Sequence, residues 1–278
     1  MQPVSQYLRC CGREIHYVEW GDKDAPPLLM WHGLARTGRD FDDLAQALAD
    51  TYHIVCPDML GRGLSEWSAD PDQEYCLAFY ARVAQAFADG LGIDKMRWVG
   101  TSMGGAIGMV AGATTLKGRI THLVLNDNGP SLAAGAIDRI RSYAGNPPQF
   151  DTVTELEAFF RTVYKPYGWQ SDAQWRRMTE TSTRRMPNGK VTPHYDPAMV
   201  RQFIVHPHDY DRWNEYDALD MPTLVMRGAE SDLLLQETAE QMTRRGPHAQ
   251  LAVIPGCGHA PALNVAEQIE LVRAFLAQ

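Results

Sequence analysis

The sequence has few cysteines, little basic charge and no long apolar run, and each shortage excludes a class of protein. Its five cysteines are scattered with no Cys-x-x-Cys spacing, which argues against a disulfide framework and a zinc site. A net charge of −8 argues against nucleic acid or an anionic membrane as partner, because either requires a basic face. The N-terminus lacks a signal-peptide pattern, and no window reaches the roughly 18 apolar residues of a membrane span. We therefore expect a soluble, cytoplasmic protein.

The 278 residues are enough for one large α/β domain or two ordinary ones. Short apolar runs with the pattern of buried strands alternate with segments of helical periodicity. This alternation predicts a mostly parallel sheet covered by helices on both faces. The predicted strands of this sheet are residues 28–31, 52–56, 95–99, 120–125, 223–226 and 250–254, and a hairpin is expected before them at residues 7–20.

Residues 130–218 interrupt the alternation. They are rich in aromatic residues and have helical patterns with no good strand. An insertion between two strands of one sheet suggests a lid over the strand ends, so we expect a core domain of residues 1–129 and 219–278 and a helical cap of residues 130–218. The alternative for most of these aromatic side chains is that they form only the core of the insertion.

One short motif carries the strongest chemical signal. Gly100-x-Ser102-x-Gly104 lies between a predicted strand and a small, apolar predicted helix. A strand that runs directly into a helix must turn sharply, and glycines on both sides leave room for that turn. The motif in this setting predicts a nucleophile elbow that exposes the Ser102 hydroxyl.

A serine nucleophile needs a base, and the base needs an orienting group. His259 follows the last predicted strand directly and is the candidate base. Asp232 follows the penultimate strand and is the favoured orienting acid, because the acid of a hydrolase usually follows the strand nearest the histidine loop. Asp127, which follows the strand at 120–125, is the competing candidate.

An oxyanion intermediate needs preorganised donors. The backbone N–H of Met103, directly after the candidate nucleophile, is one candidate. The backbone N–H of Leu34, in the loop after the strand at 28–31, is the other. His32 in the same loop is expected to shape it rather than act as a base. Arg184, Arg185 and Arg201 could bind a substrate carboxylate, although exposed helix surface is their simpler interpretation.

These motifs together resemble the α/β-hydrolase superfamily over nearly the whole chain. The resemblance is carried by His32-Gly33, Pro57-Asp58, Gly61-Arg62-Gly63, the elbow, Gly228 to Asp232, and Gly258-His259. It implies an eight-stranded sheet, a cap inserted after strand six and a Ser-His-Asp triad that needs no metal or organic cofactor. Similar epoxide hydrolases and haloalkane dehalogenases carry Asp at the nucleophile position, so Ser102 argues against both.

The resemblance extends to microbial carboxylesterases, enol-lactonases, perhydrolases and meta-cleavage-product hydrolases. We therefore expect a serine hydrolase that cleaves a small or medium carboxylic ester or a lactone. One alternative is hydrolysis of a C–C bond in a vinylogous diketo acid, which Thr101 and the glycine-poor loop after Gly33 disfavour. The other is a ligand-binding protein that keeps the fold without catalysis.

Overall fold

The computed structural model describes residues 2–278, apart from the side chains of residues 134, 139 and 141–143. The first residue of the expected core domain therefore lies outside the described residues. Within the described residues, no helix is both long enough and apolar enough to cross a membrane.

One eight-stranded sheet forms the centre of the molecule, with the strand order β1-β2-β4-β3-β5-β6-β9-β10. The first two strands pair antiparallel, as the expected N-terminal hairpin requires, and β2 also pairs antiparallel with β4. The remaining neighbours are parallel. The strands are β1 (Val4–Cys10), β2 (Arg13–Trp20), β3 (Pro27–Trp31), β4 (His53–Pro57), β5 (Met96–Thr101), β6 (Ile120–Asn126), β9 (Thr223–Gly228) and β10 (Gln250–Ile254).

Helices cover both faces of the sheet, which is why its central strands are apolar on both sides. In β3, all residues from Leu28 to Trp31 are buried. Helix α4 packs against the sheet, and its residues from Met103 to Gly112 are all buried. The helices outside the insertion are α1 (Asp42–Leu48), α2 (Pro71–Glu74), α3 (Leu77–Gly90), α4 (Met103–Ala113), α10 (Gln236–Met242) and α11 (Ala266–Leu276).

The segment between β6 and β9, residues 130–218, is called the insert here. Its helices are α5 (Ala134–Ala144), α6 (Val153–Val163), α7 (Asp172–Thr181), α8 (Arg201–Val205) and α9 (Trp213–Asp217). Helix α6 starts at a capping box, in which the Thr152 side chain accepts from the Glu155 N–H and Glu155 accepts in return. Phe160 of α6 is buried in a small cluster within the insert, with Leu156 and Val191.

The insert also contains two short strands that its sequence pattern does not reveal. Thr183–Arg185 (β7) and Val191–Pro193 (β8) form a two-stranded antiparallel sheet, so the expectation of no strand in this region was wrong. Each strand has only three residues, which is too short for an alternating pattern to be visible. Gly189 adopts a φ of 84° in the loop between the two strands, a conformation that glycine adopts readily.

Candidate active site

Ser102 lies between the end of β5 and the first turn of α4. Its backbone has φ 52° and ψ −118°, a conformation that is uncommon for a residue with a side chain. The turn is possible because a β-carbon on Gly104 would lie 1.9 Å from the Trp31 carbonyl oxygen, and one on Gly100 would lie 2.3 Å from the Gly104 oxygen. The two glycines thus allow α4 to approach the sheet closely, and this local geometry is that of a nucleophile elbow.

His259 contacts Ser102 and a buried carboxylate through its two ring nitrogens. Its Nε2 lies 2.9 Å from Ser102 Oγ, and its Nδ1 lies 2.6 Å from Asp127 Oδ2. Because a carboxylate only accepts, Nδ1 carries the proton and donates it to Asp127. Nε2 of the neutral ring is then an acceptor, and it can receive the Ser102 hydroxyl proton.

Asp127 is fully buried directly after β6. Besides His259, its carboxylate accepts from the Gly228 N–H at 2.8 Å and from the Ser231 hydroxyl at 2.6 Å. Three donors therefore compensate for the burial of its charge. The φ of Asp127 is 52°, the left-handed region that Asp tolerates better than most residues.

The structure contradicts the expectation that Asp232 would accept from His259. Nδ1 has one proton, and that proton points to Asp127. The loop after β9 was correctly placed beside the histidine, but it contributes the Ser231 hydroxyl and the Gly228 N–H to the Asp127 carboxylate. Asp232 instead lines the cavity in front of Ser102. Asp127 was recognisable in the sequence as a polar residue at a strand end. The expectation that the acid follows the strand nearest the histidine loop favoured Asp232 instead.

The two expected oxyanion donors lie next to the candidate nucleophile. Met103 is the first residue of α4, and Leu34 lines the same cavity as Ser102. Within residues 2–278, neither backbone N–H has a hydrogen-bond acceptor. Both donors are therefore free to bind a substrate oxygen, and the N-terminus of α4 adds a favourable field for negative charge.

His32 holds the peptide group that carries the Leu34 N–H. Its Nδ1 donates to the Gly33 carbonyl oxygen at 2.7 Å, and its Nε2 accepts from the Met59 N–H at 2.8 Å. The Gly33 oxygen also accepts from the Arg36 N–H. Complete burial lowers the pKa of His32 to about 4, so the ring stays neutral near pH 7. His32 thus shapes the loop, as expected, and both its nitrogens are used in doing so.

A cavity of about 680 Å³ opens in front of Ser102. It lies between the ends of the sheet strands and the insert, the region where open α/β sheets bind ligands. Within the described residues, no cluster of three or more His, Cys, Asp or Glu side chains could hold a metal ion. The lining includes Leu34, Arg36, Ser102, Tyr164, Lys165, Tyr167, Glu230, Asp232 and His259.

The sequence matches a family model described as "alpha/beta hydrolase fold" over residues 26–264. A 3-hydroxybutyrate-oligomer hydrolase from Cupriavidus necator is 39% identical, in an alignment that covers 98% of this chain and 97% of that protein. A match of this extent includes the sheet, the insert and all the residues around Ser102.

Solved structures agree with the sequence match. A putative hydrolase from Rickettsia typhi superposes with a TM-score of 0.90 and 30% identity, covering 100% of this chain and 99% of that one. An α/β hydrolase from Novosphingobium aromaticivorans superposes with a TM-score of 0.86 and 31% identity, covering 99% and 98% of the two chains.

The chain belongs to the α/β-hydrolase family. It is a hydrolase, and the fold expected from its motifs is confirmed, with eight strands in the main sheet.

Proposed function

We propose that the protein is a serine hydrolase that cleaves carboxylic esters through an acyl-enzyme. The observation that carries the proposal is the continuous hydrogen-bond chain from Ser102 through His259 to Asp127. The Ser102 hydroxyl at one end of this chain lines a cavity, next to two backbone N–H groups that have no acceptor among the residues that the structure describes. A hydroxyl, a base, a buried acid and free donors are the components that acyl transfer requires.

The reaction begins when His259 Nε2 takes the Ser102 proton and Oγ attacks the ester carbonyl carbon. The Leu34 and Met103 N–H groups stabilise the oxyanion that forms. His259 then gives the proton to the departing alkoxide, and the C–O bond breaks to leave an acyl-enzyme. A water molecule, deprotonated by His259, attacks this ester, and the acid leaves as the proton returns to Ser102. Asp127 stabilises the imidazolium in both halves.

The cavity and the relative in Cupriavidus necator support a particular substrate class. That protein is a 3-hydroxybutyrate-oligomer hydrolase that aligns over nearly its whole length. A cavity of about 680 Å³ is large enough for a short chain of such units. We infer that the substrates are short linear esters of small hydroxy acids.

Turnover of 4-nitrophenyl butyrate and of the linear 3-hydroxybutyrate dimer tests the proposal. We expect the native chain to cleave both and Ser102→Ala to lose at least about a thousandfold in kcat/KM. Circular dichroism of the variant controls for misfolding. Wild-type turnover by folded Ser102→Ala would contradict the proposal. Cleavage of a vinylogous diketo acid with both esters untouched would also contradict it and would indicate C–C bond hydrolysis.

A further inference from the structure

Arg36 is a buried cation beside the candidate active site. It lies two residues after Leu34 and is only 2% exposed. Its Nε and Nη2 donate to the two carboxylate oxygens of Asp40, at 2.8 and 2.6 Å. Its Nη1 is buried and has no hydrogen-bond partner within the described residues. A guanidinium nitrogen left in this way is costly, so it is a candidate to receive a ligand.

The insert covers this guanidinium with an aromatic ring. The Arg36 Cζ lies 4.5 Å from the ring centroid of Tyr164 and 5.5 Å from that of Phe160. Arg36 and Tyr164 both line the cavity that contains Ser102. Arg36 therefore lies at the boundary between this cavity and the aromatic rings of the insert.

A second cation lies next to the same aromatic ring. Lys165 follows Tyr164, lines the cavity and is exposed. Its ammonium group forms no ion pair or hydrogen bond within residues 2–278. Two positive groups thus adjoin Tyr164, one buried and one accessible to solvent.

The loop after β9 presents the opposite charge. Glu230 and Asp232 line the same cavity, and the Glu230 backbone N–H is bound to the Cys257 carbonyl oxygen, two residues before His259. The lining therefore has cations around Tyr164 and carboxylates beside the histidine loop. A linear hydroxy-acid ester has a matching polarity, because one end is a hydroxyl and the other a carboxylate.

We propose that Arg36 Nη1 and Lys165 bind the free carboxylate of the substrate, so that the enzyme selects short hydroxy-acid esters with an uncapped acid end. The proposal rests on the proposed ester hydrolysis and names the recognition step for it. Two N–H groups of a guanidinium and an ammonium are suitable donors for a carboxylate. The hydroxyl end then faces the loop after β9, where Glu230 and Asp232 line the cavity.

The three arginines singled out from the sequence do not perform this role. Arg201 pairs with Asp72, and Arg184 stacks on Trp67 at 4.1 Å. Neither of them lines the cavity in front of Ser102, and nor does Arg185. The alternative that these three arginines bind a substrate carboxylate is therefore not supported, and our proposal places that role at Arg36 and Lys165 instead.

A matched pair of substrates isolates the carboxylate. One is the linear 3-hydroxybutyrate dimer with its free acid, and the other is the same dimer capped as the primary amide, which is neutral and nearly the same shape. The kcat/KM of each is measured by chromatography of the dimer that remains, because the acid dimer releases two molecules of 3-hydroxybutyrate and the amide dimer only one. The ratio of the two values, acid over amide, is the readout, since it cancels any general loss of activity.

We expect the ratio to exceed about ten in the native chain, because hydrogen bonds to a desolvated charge are strong. Arg36→Met should lower it about tenfold, and Lys165→Met about threefold, because an exposed charge is partly screened. The loss in Lys165→Met should appear in KM, with kcat retained. Because Arg36→Met leaves Asp40 unpaired, the double variant Arg36→Met/Asp40→Asn is a second test. Lys190→Met, in the insert but paired with Asp151, should leave the ratio unchanged.

A native ratio near one, or a ratio that Lys165→Met and both Arg36 variants leave unchanged, would overturn the proposal. A parallel fall in both kcat/KM values for the Arg36 variants, with the ratio constant, would show that Arg36 only supports the loop of Leu34. If the amide dimer is cleaved in these cases, the ester hydrolase proposal still stands. If neither dimer nor 4-nitrophenyl butyrate is cleaved, both proposals are wrong.

Discussion

Ser5, His16 and Asp58 form a second serine–histidine–aspartate hydrogen-bond chain, remote in sequence from the one at Ser102. His16 Nε2 lies 2.7 Å from Ser5 Oγ, and His16 Nδ1 lies 2.7 Å from Asp58 Oδ2. The corresponding distances around His259 are 2.9 and 2.6 Å. Judged by residue types and by the two hydrogen bonds of each histidine, the two hydrogen-bond chains are alike.

Their surroundings differ in ways that matter for chemistry. Ser102 has a positive φ at the N-terminus of α4 and lines a cavity. Ser5 is an exposed residue inside β1, opposite Val18 of β2 in an ordinary antiparallel ladder. It does not line the cavity in front of Ser102.

The two aspartates also have different partners. Asp127 accepts from groups that follow β9, in addition to its histidine. Asp58 accepts from the Gly38 and Leu64 N–H groups and so ties together two loops. Burial alone would raise the pKa of Asp58, but the hydrogen bonds from His16 and the Leu64 N–H and the electrostatic attraction of the nearby histidines together outweigh burial and lower it. The comparison teaches that a relay of three side chains indicates catalysis only where a strained nucleophile, free donors and a cavity accompany it.

The largest effect is expected at the acid of the Ser102 hydrogen-bond chain, where it decides between Asp127 and Asp232. Asp127→Asn should lower kcat by about a thousandfold or more, because the amide no longer fixes the His259 tautomer or stabilises the imidazolium. The fall in kcat of Asp232→Asn should be at least about a hundredfold smaller than that of Asp127→Asn, because the His259 Nδ1 proton is donated to Asp127 and not to Asp232. Steady-state kinetics on 4-nitrophenyl butyrate compares them.

Unfolding midpoints in urea control for the burial of Asp127, and kcat is corrected for the folded fraction. If Asp232→Asn were the more damaging of the two changes, the assignment of the acid to the end of β6 would be wrong.

A smaller effect is expected at His32, which holds the loop of Leu34 beside Ser102. Its pKa is lowered by burial from 6.5 to about 4, so between these values the unfolded chain binds more protons than the folded one. The free energy of unfolding therefore decreases as pH falls from 6.5 to about 4. Between pH 7 and 4.5 the native chain should lose about 2–3 kcal/mol more than His32→Gln, which does not titrate.

Urea unfolding at the two pH values measures this difference. Equal losses in the native chain and in His32→Gln would mean that the His32 ring is not held neutral by its burial.

The smallest effect is expected at the second serine. Ser5→Ala should leave kcat and KM for 4-nitrophenyl butyrate within about twofold of the native values, and should change the free energy of unfolding by less than about 1 kcal/mol, because Ser5 is exposed. Steady-state kinetics and urea unfolding check both. A large loss of turnover in folded Ser5→Ala would contradict the view that only the hydrogen-bond chain at Ser102 is catalytic.

The fold and the elbow were predictable because they depend on local pattern. Apolar runs alternating with helical segments indicated the sheet, and Gly100-x-Ser102-x-Gly104 indicated the turn because glycine spacing reports close backbone approach directly. His259 was predictable for a similar reason, since it follows a recognisable strand.

The remaining features depend on how distant segments meet. The choice of Asp127 over Asp232 depends on how the ends of β6, β9 and β10 align and on the positive φ of Asp127. The Arg36 site depends on a loop after β3 meeting an aromatic ring of the insert. The chain at Ser5 joins residues 11 and 42 positions apart. None of these contacts leaves a spacing or periodicity in the sequence.

Covalent labelling tests the difference between the two serines most directly. The native chain is treated with a fluorophosphonate, and the modified residue is identified by mass spectrometry of its peptides. We predict one adduct per chain, on Ser102, with Ser5 unmodified, and no adduct on folded Ser102→Ala. Modification of Ser5, or no adduct on Ser102 in the folded native chain, would contradict the assignment of Ser102 as the nucleophile.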